Sequence, residues 1–171
     1  AEQMLYAACF RVMAEISKQL GKDGNVYRQE YEKLTVAIEK FFWDEEKGAY
    51  IDSFTSGKRN VTRHANIFAI LFDIADKQKQ EKILTNVLEN DEIPAITTPY
   101  FNFFELDVLC QMGKLTEVLD KIRSYWGGML DLGAVTFWEE YDPSVPKEEQ
   151  YDMYGDHFGK SLCHAWAASP I

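Results

Sequence analysis

Two adjacent glutamates, Glu139 and Glu140, are the side chains of this sequence best suited to acid–base chemistry. They lie in the segment GAVTFWEEYDP, at residues 133–143. Neighbouring side chains of an extended chain point in opposite directions, so only one of the two carboxylates can face a pocket. A carboxylate beside the indole of Trp138 suits sugar chemistry. Composition alone favours a different interpretation, a surface loop anchored by Trp138 with both glutamates in solvent.

A second segment, YDMYGDHFGKSLCHAW at residues 151–166, is rich in side chains that can bind metals. His157 and His164 lie seven residues apart and no cysteine cluster supports them, a spacing that does not suit zinc. We therefore predict no metal site and no cofactor. His164 precedes Trp166 in an apolar stretch, where a histidine is either a hydrogen-bonded core residue or a donor to a sugar hydroxyl.

Two further residues stand near predicted helix starts. His64, in TRHANIFAI, occupies the first turn of a helix that follows a long loop, where a histidine commonly caps the helix or lies at the surface. Tyr100 begins the segment YFNFF. Most of these aromatic side chains suit a core, and one of them is available to line a cleft.

Several classes of protein are disfavoured by what the sequence lacks. It contains no glycine-rich phosphate loop, G-x-S-x-G elbow, H-E-x-x-H or EF-hand pattern, which removes nucleotide kinases, common serine hydrolases and zinc proteases. A net charge of −10 without a basic stripe disfavours nucleic acid as a partner. No apolar run approaches the length of a membrane span, and no signal peptide selects a cytoplasmic, periplasmic or secreted location.

The elements that must position these residues are helices, because apolar residues recur with a helical period almost everywhere. We predict helices over about residues 2–20, 25–42, 62–75, 78–89, 100–111 and 115–125, the last ending at Gly127-Gly128. The apolar stripe of the first helix comprises Leu5, Cys9, Val12, Met13, Ile16 and Leu20. A short hairpin is predicted within residues 43–58. All three cysteines, Cys9, Cys110 and Cys163, lie in apolar stretches and are predicted to be buried free thiols.

The C-terminal third of the chain follows a different pattern. Residues 132–158 lack a helical period, and a final helix is predicted from about Gly159 into Ile171. Because the sequence stops inside that apolar helix without a cap, and also starts in a helical pattern, we expect truncation at both ends.

Predicted helix pairs recur roughly every 45 to 50 residues, a spacing typical of helical hairpins. The sequence thus predicts a single all-α domain over residues 1–171, arranged as an open solenoid or a closed α/α barrel. Long, aromatic loops alternate with tight glycine turns. Such loops at one end of a rigid scaffold commonly form a site, which favours the barrel.

The motifs resemble those of a known family, the α-L-rhamnosidases of glycoside hydrolase family 78. GAVTFWEEYDP is similar to the family's G-A-T-T-x-W-E-x-W/F-D segment, and HFGKSLCHAWAASPI resembles its next signature. The stretch YFNFFELDVLCQMGKLTEVLDKIRSYWGGML resembles the region that precedes the glutamate motif. The resemblance implies the C-terminal part of an (α/α)6 barrel, or toroid. Val135 and Tyr141 depart from the pattern, which leaves rhamnose itself less firmly implied than the family.

The resemblance also implies an activity, hydrolysis of terminal α-L-rhamnose with inversion. Glu139, as the first glutamate after the tryptophan, would be the general base, while Glu140 would not. The family's acid lies in an upstream R-D-E-x-x-G-W motif that this chain lacks, so we expect no activity from the chain alone. Exposed hairpin faces would favour a homodimer of the fragment. The residues expected to contact a rhamnose-containing carbohydrate are Trp138, His164, His64 and Tyr100.

Two other functions compete with this one. A helical-repeat module would bind a carbohydrate or a protein through its aromatic loops without catalysis. A sugar epimerase on a related barrel would use histidine pairs for proton transfer, a role for which His64 and His164 are candidates. The tryptophan–glutamate motif argues against the epimerase.

Overall fold

A computed structural model describes residues 1–168. They fall into two compact units, the first Ala1–Ala95 and the second beginning at Ile96. Both units are built mainly from helices, which confirms the predicted all-α class. A single domain over residues 1–171 stays a prediction. Within the described residues, no helix is long and apolar enough to cross a membrane.

The first unit contains four α-helices and one small hairpin. The helices are α1 (Glu2–Gln19), α2 (Asn25–Phe42), α3 (Arg63–Leu71) and α4 (Lys77–Ile83), the last continuing as a π-helical turn, Leu84–Leu88. The strands β1 (Trp43–Asp44) and β2 (Ala49–Tyr50) pair antiparallel, with Trp43 opposite Tyr50. The predicted hairpin is therefore confirmed. The second helix begins and ends at the predicted residues.

The turn between α1 and α2 shows how the sequence ends a helix. Gly21 has φ +67°, and the amide groups of Gly21 and Lys22 donate to the carbonyls of Lys18 and Ser17. This is a Schellman motif, in which a left-handed residue lets the last carbonyls of the helix find partners. Helix α3 ends in the same way at Asp73, with φ +54°, and is therefore shorter than predicted.

The buried face of α1 is not the predicted stripe. Met4 and a set of small residues, Ala7, Ala8, Ala14 and Ser17, are buried. The larger apolar side chains of the predicted stripe are all exposed, among them Leu5, Cys9, Val12, Met13, Ile16 and Leu20. The chain approaches α1 closely after the turn, where a Cβ on Gly24 would lie 2.9 Å from the Ala14 carbonyl oxygen. Small side chains permit that approach, so they form the buried face.

Buried polar groups organise the core of the first unit around β2. Asn66, which is fully buried, accepts from the Tyr50 amide at 2.8 Å and donates to the Tyr50 carbonyl at 3.0 Å. The Asn66 side chain therefore acts as a strand partner for this short strand. Asp44 is also buried and accepts from the amides of Glu46 and Lys47 and from Arg59 Nε at 2.7 Å.

The second unit contains α5 (Pro99–Gln111), α6 (Leu115–Asp131) and two 3-10 turns, Lys147–Glu149 and Ala165–Ala168. Helix α6 does not end at Gly127-Gly128 as predicted but continues to Asp131. Gly128 serves packing rather than termination, because a Cβ there would lie 2.7 Å from ring atoms of Tyr141. The missing side chain makes room for the Tyr141 ring against the helix.

The predicted final helix is also absent from the described residues. Residues 159–164 are irregular, and Ala165–Ala168 form only a 3-10 turn; the rest of the predicted helix lies outside the described residues. Two amides of this segment donate to a distant part of the chain: the Ser161 amide to the Glu139 carboxylate and the His164 amide to the Phe137 carbonyl. Those bonds replace the i to i−4 bonds that a helix would need.

The three cysteines are free but not buried. Cys9, Cys110 and Cys163 are all exposed, contrary to the prediction. Cys9 belongs to the exposed stripe of α1, so the prediction for Cys9 was wrong for the same reason as the prediction of the buried face: small residues are buried instead.

Candidate active-site cleft

The glutamate motif is held by the segment that follows it in the chain. The Glu139 amide donates to the Ser161 carbonyl at 2.9 Å, and the His164 amide donates to the Phe137 carbonyl at 3.0 Å. The Thr136 hydroxyl also donates to the Leu162 carbonyl. The two irregular segments therefore lie side by side, and backbone hydrogen bonds fix the position from which Glu139 projects.

The Glu139 carboxylate has three polar neighbours. Its Oε2 accepts from the Ser161 amide at 3.2 Å and lies 3.8 Å from His164 Nδ1. Its Oε1 accepts from the Tyr154 hydroxyl at 3.1 Å. The Glu139 side chain is 19% exposed. The carboxylate is thus oriented by fixed donors while it remains open to solvent on one side.

An open cleft of about 400 Å³ lies against this carboxylate. Its lining residues are Thr98, Tyr100, Glu139, Met153, Tyr154 and Trp166. The rings of Tyr100 and Trp166 lie 6.0 Å apart, and the His164 ring packs edge-on against Trp166 at 4.3 Å. Tyr154 has φ +55°, a rare conformation for a bulky residue that is often found at functional sites. The cleft combines one carboxylate with aromatic and thioether walls.

Glu140 points away from this cleft. Its Oε1 accepts from the Thr97 hydroxyl at 2.7 Å, and the next residue, Tyr141, donates its amide to the Thr97 carbonyl at 2.9 Å. The two adjacent glutamates therefore have different surroundings. One lines the cleft, and the other contacts the loop that leads into α5.

Two pKa shifts describe the electrostatics near the cleft. The hydrogen bond to Glu139, together with its negative charge, raises the pKa of the exposed Tyr154 hydroxyl. Burial lowers the pKa of Lys160, against the attraction of nearby carboxylates, of which Glu140 acts most strongly. The Glu139 charge thus acts on Tyr154, whereas burial outweighs the carboxylates at Lys160. No group of three His, Cys, Asp or Glu residues within residues 1–168 is arranged to hold a metal ion.

The whole chain, residues 1–171, matches the family described as the bacterial alpha-L-rhamnosidase 6 hairpin glycosidase domain. The chain belongs to this family. Among solved structures, it resembles a rhamnosidase from Klebsiella oxytoca with rhamnose bound, at 29% identity and a TM-score of 0.79. It also resembles a GH78 family rhamnosidase of Bacillus sp. GL1, at 25% identity and the same TM-score of 0.79. No curated protein matches the chain.

The match to these rhamnosidases covers nearly all of this chain but only part of each relative. For the Klebsiella protein it covers 96% of this chain and 31% of the relative. For the Bacillus protein it covers 98% of this chain and 18% of the relative. The chain therefore corresponds to less than a third of either rhamnosidase.

The structure brings together three of the predicted site residues of this rhamnosidase domain. Glu139 and Tyr100 line the cleft, and His164 lies beside Glu139. Trp138 is only 3% exposed and packs against Tyr151, so it supports the motif from within rather than lining the cleft. His64 lies in the first unit, where it helps to line a cavity of about 470 Å³ together with Asp52.

Sequence reasoning missed four lining residues of the cleft, Thr98, Met153, Tyr154 and Trp166. Tyr154 and Trp166 lie within the segment that was singled out for its acidic and histidine residues. The aromatic side chains of Tyr154 and Trp166 were the feature of the sequence that could have indicated a sugar-binding surface. No sequence pattern predicts the positive φ of Tyr154, with which its hydroxyl reaches Glu139.

Proposed function

We propose that this chain is part of an inverting glycoside hydrolase that releases terminal α-L-rhamnose from glycosides or polysaccharides. In this proposal Glu139 is the general base that activates water. The observation that carries it is the Glu139 carboxylate at the edge of an aromatic cleft, hydrogen-bonded by the Ser161 amide and the Tyr154 hydroxyl. Family membership supports the class of reaction.

The geometry suits a base that must hold a water molecule. An ionised carboxylate offers about four acceptor positions, and two are used by Ser161 and Tyr154. The remaining positions can accept from a water that faces the anomeric carbon. Both donors are neutral, so they fix the orientation of the carboxylate while leaving its charge available to take the proton.

The walls of the cleft suit a deoxy sugar. Tyr100 and Trp166 are 50% and 57% exposed, and aromatic faces of this kind pack against the C–H faces of a pyranose. Met153 adds an apolar contact suited to the C6 methyl group of rhamnose. The sugar would thus be held mainly by apolar contacts, with its reacting carbon turned toward Glu139.

Inversion requires a second carboxyl group, about 6.5–9.5 Å from the first, to protonate the leaving oxygen. Glu139 is the one carboxylate among the described residues that line the cleft. The R-D-E-x-x-G-W motif expected to carry the acid does not occur in the chain. We therefore propose that the acid comes from a different part of the parent enzyme and that these 171 residues alone are inactive.

The test is kinetic. In an active enzyme that contains this domain, Glu139→Gln should lower kcat about 10²–10⁴-fold, as removal of a general base typically does. Glu148→Gln, on an exposed 3-10 turn of the same unit, is the matched control and should retain the parent rate. Proton NMR of the first-formed sugar should show the inverted anomer. A near-parental rate for Glu139→Gln would remove Glu139 from this role.

One observation favours a second candidate, a sugar-binding module without catalysis. The described cleft holds aromatic walls and a single carboxylate, which is enough to bind a sugar and not enough for inverting hydrolysis. The isolated chain should show no turnover of an aryl α-L-rhamnoside under either proposal. Turnover by an enzyme containing this domain, together with its loss in Glu139→Gln, would decide for the hydrolase.

We also propose that the isolated chain forms a homodimer through the exposed stripe of α1. Val12 and Ile16 are 50% and 42% exposed, and Leu20 is 64% exposed. Contiguous apolar surface of this kind favours association. Sedimentation should show a dimer whose population falls in Ile16→Lys, and a monomer at all concentrations would refute the proposal.

A further inference from the structure

The loop before α5 and the glutamate motif are joined at one residue, Thr97. Its hydroxyl donates to Glu140 Oε1 at 2.7 Å. Its carbonyl accepts from the Tyr141 amide at 2.9 Å and from the Tyr125 hydroxyl at 2.5 Å. Burial raises the pKa of Tyr125, so this hydroxyl remains a donor at neutral pH. Three hydrogen bonds from two elements therefore converge on a single residue.

The same loop carries one wall of the cleft. Thr98, the next residue, and Tyr100 line the cleft together with Glu139. The fully buried Asn102 donates to the carbonyls of Ile96 and Thr98. The loop is thus rigid on its helix side. On its other side it is attached to Tyr125 of α6 and to Glu140 and Tyr141, the two residues that follow Glu139.

We propose that the hydrogen bond between Thr97 and Glu140 is a clamp that positions the Glu139 carboxylate relative to the Tyr100 wall. The inference rests on the proposed function, in which Glu139 is the base. Glu140 acts here through its neighbour and makes no contact with the cleft, so it is a positioning residue. The clamp depends on an acceptor at residue 140 rather than on negative charge, because the Thr97 hydroxyl is a neutral donor.

The surroundings of Glu140 support a positional role over simple solvation. Its side chain is half-buried, although the sequence alone favoured solvent exposure for both glutamates. The buried Lys160 lies close enough that Glu140 is the carboxylate acting most strongly on the pKa of its ammonium group. The 2.7 Å hydrogen bond from the Thr97 hydroxyl orients the Glu140 side chain, and a solvated side chain would lack that bond.

The first arm of the test reads the position of Glu139 without any ligand. The Ser161 amide donates to Glu139 Oε2, so its proton shift and exchange rate report whether that carboxylate stays in place. Thr97→Val removes the hydroxyl at constant volume, and Glu140→Ala removes the acceptor. Each should accelerate exchange of the Ser161 amide about tenfold, as expected for loss of one hydrogen bond of about 1.4 kcal/mol.

The controls keep the hydrogen bond. Thr97→Ser retains the hydroxyl and Glu140→Gln retains a carbonyl acceptor, so both should exchange within about twofold of the parent. The Trp126 indole N–H, which donates to the Ala167 carbonyl at 3.0 Å, reports that the unit is folded in every variant. Unchanged Ser161 exchange in Thr97→Val and Glu140→Ala would overturn the clamp, as would loss of protection in Glu140→Gln alone.

The second arm separates the clamp from the proposed function. In an active enzyme that contains this domain, a cationic iminosugar analogue of rhamnose should bind more tightly than neutral L-rhamnose, because its ammonium group faces Glu139. The ratio of the two affinities should fall about tenfold in Glu139→Gln, Thr97→Val and Glu140→Ala. A ratio that falls only in Glu139→Gln overturns the clamp. A ratio unaffected by Glu139→Gln, or no binding of either sugar, overturns the proposed function.

Discussion

The polar side chains that hold the hairpin of the first unit differ from Glu139 of the second unit in their access to solvent. In the first unit, Asn66 of α3 and Asp44 of β1 are 0% and 5% exposed, and their polar atoms bind the backbone of the β1–β2 hairpin. In the second unit, the Glu139 side chain is 19% exposed and accepts from an amide and a phenol while it lines an open cleft. The first arrangement fixes a strand, and the second leaves a charged group accessible.

The contrast separates polar residues that stabilise the fold from those that are available for chemistry. A buried polar group with all its partners inside the protein contributes to stability, because its loss leaves those partners unsatisfied. A carboxylate that lines an open cleft can be replaced at less cost, since water can reach its partners. Each of the following variants tests one side of that distinction.

The largest effect on stability should come from Asn66. In Asn66→Ala the amide and the carbonyl of Tyr50 lose their partner inside the core. Each unsatisfied group costs about 2 kcal/mol, so the free energy of unfolding should fall by about 4 kcal/mol. Urea denaturation measures this. Asn60→Ala, at an exposed position of the same unit, should change it by less than about 0.5 kcal/mol.

The same denaturation experiment on Glu139→Gln sharpens the comparison. Because the Glu139 partners remain accessible to water, the unfolding free energy should change by less than about 1 kcal/mol. A cost for Glu139→Gln as large as that for Asn66→Ala would mean that Glu139 belongs to the core, and the contrast between the units would fail.

A smaller and pH-dependent effect is expected at Asp44. The hydrogen bond from Arg59 is the main cause that holds the pKa of Asp44 below its ordinary value. The stabilisation is therefore present above the unfolded pKa of about 3.9 and is lost as the pH falls through the folded pKa. Asp44→Ala should lower the unfolding free energy by about 3 kcal/mol at pH 7, from three lost hydrogen bonds.

The difference between Asp44→Ala and the parent should shrink as the pH is lowered from 5 to 2, about the range over which a salt-bridged aspartate is protonated. Parallel denaturation curves at pH 7 and pH 2.5, taken on both proteins, measure the change. A difference that stays constant would show that the carboxylate charge contributes nothing and that only packing was lost.

The sequence predicted the elements better than their faces. Helix α2 begins and ends as predicted because its period and its flanking glycine and tryptophan agree. The face of α1 was wrong because large apolar residues dominate a periodic pattern, whereas Ala7, Ala8 and Ala14 are buried for their small size. The final helix failed because its amides bind Glu139 and Phe137, which are distant in the sequence.

The residues of the candidate site also divide into those that the sequence predicted and those that it did not. Alternation of neighbouring side chains predicted that only one of the two glutamates faces a pocket, and the family pattern selected Glu139 rather than Glu140. Tyr154 could not be selected, because its approach to the carboxylate depends on a positive φ that no local pattern reveals. Residues whose role comes from long-range pairing are those that sequence reasoning misses.

The glycine pair inside α6 provides a matched test of why residue 128 is a glycine. Gly128→Ala places a Cβ within 2.7 Å of Tyr141 ring atoms, and relief of that overlap should cost about 2 kcal/mol of stability. Gly127→Ala meets nothing within 4 Å and replaces a flexible residue in a helix interior. It should raise stability by about 0.5–1 kcal/mol. Thermal unfolding of the two variants measures both signs. Equal effects of the two substitutions would mean that contact with Tyr141 does not require a glycine at position 128.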